Sequence, residues 1–580
     1  MKYFSDIVID FLKQQGIEYV CFNPGASFRG LHDSLVVERD DIDGQPLELV
    51  MCCHEEISVA IAHGYYKASG RHMAILVHAN IGLLHASMAM FNGWCDRVPL
   101  LVIGGNGPID SAKRRPWIDW IHTSQHVDST VKDFVKWSDQ PVGQRATLES
   151  LYRAFRLMNT EPSAPVYVAI DAETQEEPLA ADVMLSAPIQ ALASVLPPVA
   201  DNVITQIIGR MLDATLPVII VDFTGRNPAA VQPLIELAEA TGAAVVDKAN
   251  RFNFPNTHPL SLIDGSEDAI TAADFVLALD VQDLWGALTA RWESGDSNPL
   301  FIAAVGYGDL LVSKWAADYQ RLVPIDLPLI GDSCQTLQRL AAAVKQSSLA
   351  ADPGWNRKRH TRAARIADLH HTNRTRWRVH ADERRSALEI DVTSALVEIH
   401  AALKAEKWVL TNTGSVTVDS WVKRLWDIDR TGSYLGLSGG AGLGYGLGAS
   451  VGAALAHKDS DSICVNLQSD GDLLYTPSAL WTLSQYAIPL LTIVMNNRLY
   501  LNSQQHAEQI ARLRSRNTIA SVIGTSFYDN PVDFLKLADS FNILVERRLT
   551  ELEQIQPAIR AAVAHIKSNR RPVVVELVMS

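Results

Sequence analysis

"SDGDLLYTPSALWTLSQYAIPLLTIVMNN", residues 469–497, is the stretch whose reading decides the fold. It begins where one apolar run, "SICVNLQ", gives out, and it contains a second, "LLTIVM", that stops at Asn496-Asn497. Runs this uniformly apolar read as strands buried on both faces, as in parallel sheets covered by helices. Between them, Ser469–Asp472 reads as a turn, and Thr476-Pro477 as the N-cap and first-turn proline of a helix. A strand–helix–strand crossover takes roughly 30 residues, so Asp470 and Asn497 finish side by side on one edge of the sheet. That edge is where α/β proteins bind ligands. A carboxylate and an amide carbonyl are hard oxygen ligands suited to Mg²⁺, which completes its octahedron with phosphate oxygens and water. Gly471 permits a tight turn that exposes backbone N–H groups to a diphosphate. Taken singly, the two motifs are only a surface turn and a strand end; together they are a candidate magnesium–diphosphate clamp.

The same rhythm runs through all 580 residues. Apolar runs "YVCF", "AILVHA", "LLVIGG", "VYVAI", "VIIVDF", "AAVVD", "FVLALD", "LFIAAV", "WVLTN", "SICVNL", "LLTIVM" and "VVVELV" alternate with longer helical patterns. This predicts an α/β chain of three domains, each a mainly parallel sheet covered by helices. Two stretches interrupt the rhythm, one near 180–200 ending in Pro-Pro and a basic one over 346–385, placing domains at 1–185, 190–345 and 375–580. The basic stretch reads as a solvated linker helix.

Net charge is −14, from 51 basic and 65 acidic residues, which argues against nucleic acid or an anionic membrane as partner. No apolar run reaches about 18 residues, so no transmembrane helix is expected. The N-terminus, "MKYFSDIVIDFLKQQGIEYV", reads as an amphipathic helix rather than a signal peptide. Six cysteines form no separated CxxC pairs, which favours buried thiols and a cytoplasmic location over disulfides or zinc. One rival reading remains. Gly444-x-Gly446-x-x-Ala449 is a loose dinucleotide fingerprint with Asp470 at the distance of a ribose-binding acid. That reading, a dinucleotide-dependent oxidoreductase, leaves Asn497 without a role and needs a strand within "GSYLGLSGG".

Asp-Gly followed at this distance by Asn-Asn resembles the cofactor motif of thiamine diphosphate-dependent enzymes, with Ser469 in place of the usual first glycine. The resemblance implies Mg²⁺ held by Asp470, Asn497 and the backbone carbonyl of Leu499, with Gly471, Asp472 and Tyr500 close to the cofactor. "CCHEEISVAIAHGYYKASGR" (52–71) is similar to the family's His-Glu segment and makes Glu55 the cofactor-activating glutamate. A carboxyl hydrogen-bonded to the aminopyrimidine favours the imino tautomer that removes the thiazolium C2 proton. "SGGAGLGYGLGASVGAA" (438–454) resembles the segment that bends the cofactor, with Leu443 beneath it and the Ala441 carbonyl accepting from its amino group. "TNTGSVTVDSW" (411–421) places Gly414 and Ser415 near the phosphates, whereas Gly446 and Gly452 read as close helix–sheet packing.

The resemblance further implies that Glu55 and Asp470 of one site come from different chains, hence a homodimer at minimum and a homotetramer in many relatives. "LALDVQDLWGAL" (277–288) lacks the flavin-binding pattern of acetolactate synthases, so no FAD is expected. "SALWTLSQYAIP", "GSVTVDSW" and "FVKWSDQP" most resemble benzoylformate decarboxylase, as do "FNPGASF" and His78 in "LVHANIG". His78 is the second catalytic candidate, able to shuttle protons or bind a carboxylate. The pocket departs from that pattern. Ala26 stands where a serine is usual, with Ser27 adjacent, and Trp285 where a second histidine belongs. His122-Thr123-Ser124 replaces the Phe-Gln-Glu of acetolactate synthases, and "ANIGLLH" brings His85 near the pocket. Trp117 and Trp120 read as interface packing. The implied activity is carbon–carbon cleavage or formation on a 2-oxo acid, by decarboxylation or carboligation to an aldehyde or second oxo acid. Alternatives are an acetolactate synthase-type transfer, an acyloin or diketone lyase, and a regulatory cofactor-binding subunit.

Overall fold

The computed structural model describes residues 1–39, 46–187, 192–195, 197–248, 251–295, 297–310, 321–347, 352–387 and 389–579. Parts of both interrupting stretches, 188–191, 196 and 348–351, lie outside the described residues. The first sheet contains β1 (Tyr19–Phe22), β2 (Glu48–Met51), β3 (Ala74–Val77), β4 (Leu101–Asn106), β5 (Trp137–Asp139) and β6 (Val166–Asp171), ordered β2-β1-β3-β4-β6-β5. The second contains β7 (Pro217–Val221), β8 (Ala244–Asp247), β9 (Phe275–Leu279), β10 (Phe301–Gly306) and β11 (Leu327–Ile330), ordered β11-β10-β9-β7-β8. The third contains β12 (Trp408–Asn412), β13 (Ile463–Ser469), β14 (Leu490–Asn496), β15 (Leu544–Leu549) and β16 (Val573–Val578), ordered β12-β13-β14-β16-β15.

Every paired strand runs parallel to its neighbours. All the apolar runs named above are strands, and most are buried along their length because helices cover both faces, whereas in β10 Phe301, Ala304 and Gly306 are half-buried. The N-terminal segment is the helix Phe4–Gln14, whose apolar side packs into the first sheet's core.

The chain forms two compact units. One joins residues 1–193, 388–416 and 437–580, and so contains the first and third sheets; the other joins 194–387 and 417–436 around the second. Within the first unit, the helices Glu55–Ser69 and Tyr445–Ala456 cross with their backbones touching. A Cβ on Gly64 would lie 1.9 Å from the Ala449 carbonyl oxygen, and one on Gly452 1.9 Å from that of Ile61. Gly452 therefore serves helix-on-helix contact, not the helix-on-sheet packing expected from sequence.

The basic stretch is one helix, Pro353–Ser386, started by Asp352, whose side chain accepts from the Gly354 and Trp355 N–H groups. It is not simply solvated. Arg362 is buried and donates to the carbonyls of Thr241 (3.0 Å), Leu212 (2.9 Å) and Ala214, while Arg374 donates to Asn256 O and pairs with Asp427. Guanidinium groups satisfying helix C-termini and a turn carbonyl hold this helix within the second unit. Five cysteines are buried and Cys53 is exposed; all six are free thiols. Among the described residues, no helix is long and apolar enough to cross a membrane.

Candidate active site

At the tip of β13, residues Asp470–Leu473 make one helical turn. Ser469 precedes it at φ −71°, ψ 142°, an extended conformation open to any residue, so a glycine is not needed there. Its hydroxyl instead donates to the Gly414 carbonyl at 2.8 Å, fastening this turn to the one after β12. Asp470 is buried. One carboxylate oxygen accepts from Gly471 N (2.8 Å) and the other from Arg498 N (2.7 Å), which ties the tips of β13 and β14 together. Burial raises the Asp470 carboxyl above its usual range, and the backbone N–H groups partly offset this.

The two asparagines divide their work. Asn496 turns into the sheet and donates to the buried Glu576 at 2.7 Å, which Arg548 holds from the edge strand at 3.0 Å. Asn497 lies one residue on, and its amide oxygen accepts from Leu499 N at 2.9 Å. Tyr500 covers Gly471 so closely that a Cβ there would sit 2.4 Å from the ring, and its hydroxyl donates to the Gly471 carbonyl at 3.4 Å. Gly414 takes φ +70°, and Ser415 N donates to Thr413 O at 2.8 Å. Thr476 does not cap the following helix, Ala479–Gln485, whose N-cap is Ser478; its hydroxyl donates to Gly444 O at 2.9 Å.

Asp472 is also buried, accepting from Gly444 N (2.7 Å) and the Gln468 amide (2.6 Å), so it joins the Asp470 turn to the glycine-rich loop. No strand precedes Gly444, and the dinucleotide reading loses its strand–glycine–helix context. The loop carrying Ala441 and Leu443 is held from the N-terminal block. Asp96 accepts from Gly439 N (2.8 Å), Asn92 from Gly442 N (3.3 Å), and Lys67 donates to Leu437 O (3.2 Å). Asp96 is itself braced by His63 at 2.9 Å and Lys67 at 3.5 Å. Ala441 takes φ +50°, a strained value for a residue with a Cβ, and Leu443 is partly exposed above the loop.

Glu55 opens the helix Glu55–Ser69 and is only 4% exposed. Its carboxylate accepts from the Asn23 amide at 3.1 Å on one oxygen and lies 3.2 Å from His85 Nδ1 on the other. The neighbouring Glu56 faces Gly444 and Asp472 of the same chain; burial, then Asp472, push its carboxyl up to about 7. A single chain thus already sets the glutamate segment against the glycine-rich loop.

His78 sits at the end of β3, where Ala79 at φ +38° turns sharply into the helix Ala79–Cys95. Its Nδ1 receives Ser27 N (3.3 Å) and lies 2.9 Å from Ser27 Oγ, which itself accepts from Ala79 N at 2.9 Å. The Ser27 hydroxyl hydrogen therefore points at Nδ1, and neutral His78 keeps its proton on Nε2. Burial, then the His122 ring, lowers the His78 pKa. The His122 ring meets His78 edge-on at 4.9 Å. Ala26 and Ser27 also bound a cavity of about 270 Å³ whose cations are paired, Arg29 with Glu176, Lys113 with Glu173 and Arg115 with Asp119. Trp117 and Trp120 are exposed, and Trp285 stacks on Trp292 in the second unit at 5.2 Å.

His54, Glu55 and His85 bring donor atoms within 4.8 Å of one another. The two imidazoles are stacked at 17°, so their in-plane lone pairs run parallel rather than converge, and His54 Nδ1 already accepts from Glu56 N. The cluster is not arranged as a metal chelate. Sequence reasoning missed Asn23, Asn92 and Asp96. Asn23 stood within a quoted turn, whereas Asn92 and Asp96, one helical turn apart, carried no signal beyond ordinary helix polarity.

Comparison with known proteins agrees with this geometry. Residues 2–132 match the family model "Thiamine pyrophosphate enzyme, N-terminal TPP binding domain", and residues 413–577 match its C-terminal TPP binding domain. The chain is 24% identical to benzoylformate decarboxylase of Pseudomonas aeruginosa, covering 100% of this chain and 99% of that protein. It is 22% identical to the acetolactate synthase large subunit of Haemophilus influenzae, covering 93% and 88%. The solved 4-hydroxybenzoylformate decarboxylase of Rhodococcus jostii shares the fold at TM-score 0.75 and 20% identity, covering 100% of this chain and 99% of that one. With both cofactor-binding halves matched and brought together in one unit, the chain belongs to the family of thiamine pyrophosphate-dependent enzymes.

Proposed function

We propose that this enzyme uses thiamine diphosphate and Mg²⁺ to break or form a carbon–carbon bond at the carbonyl of a 2-oxo acid. The observation that carries this reading is the pairing of Asp470 with the Asn497 segment through Arg498 N, in the same unit as Glu55. The donor set fits the metal. Asp470 and Asn497 each present oxygens engaged by few N–H groups, so lone pairs remain for Mg²⁺, and the Leu499 carbonyl supplies a third protein oxygen. Gly414 and Gly471, with no room for a side chain, suit a backbone cradle for phosphates. When bound, the cofactor supplies a nucleophilic carbon that adds to the substrate carbonyl.

The chain's own residues then have separable tasks. Glu55 holds the proton whose position governs the pyrimidine tautomer. Leu443 and Ala441 would help to hold the cofactor. His78 presents a fixed Nε2–H, suited to binding the substrate carboxylate or to delivering a proton. Ala26, Ser27, His85 and His122 shape the substrate side. Decarboxylation is the first reading, given the likeness to benzoylformate decarboxylases; transfer to a second carbonyl, as in acetolactate synthases, is the second, kept open by Ala26 and Trp285 standing where the decarboxylase pattern has a serine and a histidine. The proposed working form is a cytoplasmic homodimer or homotetramer, which light scattering resolves.

The test has two stages. Calorimetry with thiamine diphosphate and Mg²⁺ is expected to show binding by the wild type and at least about a hundredfold weaker binding by Asp470→Ala. Holoenzyme is then given a panel of 2-oxo acids while carbon dioxide and ligated products are followed together. No cofactor binding by wild type, or equal binding by Asp470→Ala, overturns the reading.

A further inference from the structure

Glu55 has to release and regain a proton, yet its side chain is 4–5% exposed and both oxygens are occupied by protein groups. The Asn23 amide can donate a hydrogen bond but cannot carry a proton at neutral pH. Among the described residues, His85 is the one titratable side chain hydrogen-bonded to Glu55, at 3.2 Å through Nδ1. Its own side chain is 53% exposed. The Nδ1 edge of the imidazole thus meets a buried carboxyl and one face is covered by His54, while about half of the side chain is open in the single chain. His54 stacks on the ring at 4.7 Å, itself fixed by the Glu56 N–H, so the His85 ring lies flat against His54 with its Nδ1 edge toward Glu55. The charged and titratable groups around His85 are Glu55, Glu56 and His54.

We propose that His85 carries protons between solvent and Glu55, acting through Glu55 and not on the cofactor itself. The inference rests on the thiamine diphosphate reading above. Inward, a solvent acid protonates Nε2 while the Nδ1 proton passes to the Glu55 carboxylate, leaving a carboxylic acid and an imidazole protonated on Nε2. Outward, the Glu55 proton passes to Nδ1 while the Nε2 proton leaves to water. Each passage swaps the imidazole tautomer, and the opposite passage restores it, so no ring rotation is needed. A neutral imidazole is suited to this task because its two nitrogens are acceptor and donor on opposite edges.

The test uses the full chain loaded with thiamine diphosphate and Mg²⁺, without substrate. Affinity is measured by calorimetry. Exchange of the cofactor's C2 hydrogen for deuterium is measured by transfer into D₂O, acid quench and proton NMR of the released cofactor. His85→Gln and His85→Ala are expected to bind the cofactor within about threefold of wild type and to exchange at least about tenfold more slowly. Added imidazole is expected to restore exchange in His85→Ala and to leave Glu55→Gln unchanged, a response that a merely structural role would not produce. Exchange within twofold of wild type, exchange in His85→Ala that imidazole does not restore, or loss of cofactor affinity in both variants overturns the proposal. Failure of the wild type to bind the cofactor overturns the underlying functional reading instead, and is seen in the calorimetry before any exchange is measured.

Discussion

At the scale of single residues, neighbouring side chains in this site have different duties. Glu55 is expected to govern activation rather than retention of the cofactor, so Glu55→Gln should bind thiamine diphosphate nearly as wild type and lose at least about a hundredfold in turnover. Equal turnover would remove it from the mechanism. Its neighbour Glu56 has a different signature. Its carboxyl rises from about 4.5 to about 7 on folding, so the folded chain binds that proton more tightly than the unfolded one. The stabilisation is full below about pH 4.5 and is lost as pH rises through about 7. Glu56→Gln should match wild type near pH 5 and exceed it at pH 8 by about 1–2 kcal/mol in urea denaturation, after discounting for solvent screening. A pH-independent difference would contradict this.

Residue types and spacing singled out Asp470 and Asn497 as candidates, and the family resemblance added Glu55, because chemistry restricts what can hold a metal or tune a ring. They did not reveal which of two adjacent asparagines faces the sheet. Asn496 is committed to Glu576 by the register of β14 against β16, a pairing between segments far apart in sequence.

At the scale of elements, the strands legible in the sequence are those buried on both faces. β2, β5, β11 and β15 escaped notice, and all four are sheet edges with mixed exposure, where the apolar signal is diluted by design of the fold. The seam between the helices Glu55–Ser69 and Tyr445–Ala456 was likewise invisible, since glycine says only that something passes close. The contact makes a sharp prediction. Gly452→Ala places a methyl group against the Ile61 carbonyl and should cost about 2–3 kcal/mol. Gly209→Ala, in the helix Asp201–Asp213 with nothing within 4 Å, should instead gain about 0.5–1 kcal/mol. Chemical denaturation of the pair checks both signs, and a neutral Gly452→Ala would mean the seam yields.

At the scale of the whole molecule, every candidate site residue except Trp285 lies in the unit built from the first and third sheets. The long basic helix is pinned to the other unit by buried arginines. Arg362→Met should therefore lower the melting of the second unit by about 2–4 kcal/mol of lost stability, through carbonyls left without donors, while thiamine diphosphate affinity at room temperature stays within twofold. A parallel loss of affinity would show that the two units are energetically coupled. The split in sequence of the first unit also bears on its birth. Gly64 leaves the ribosome some 385 residues before Ala449, the backbone it must meet. At about 5–20 residues per second, its helix waits roughly 20–80 s for its mate while the entire second unit is being synthesised. Nascent chains stalled in that interval should therefore display an uncovered small-residue face, a natural landing place for chaperones and a point where slowing translation would tip the balance toward aggregation.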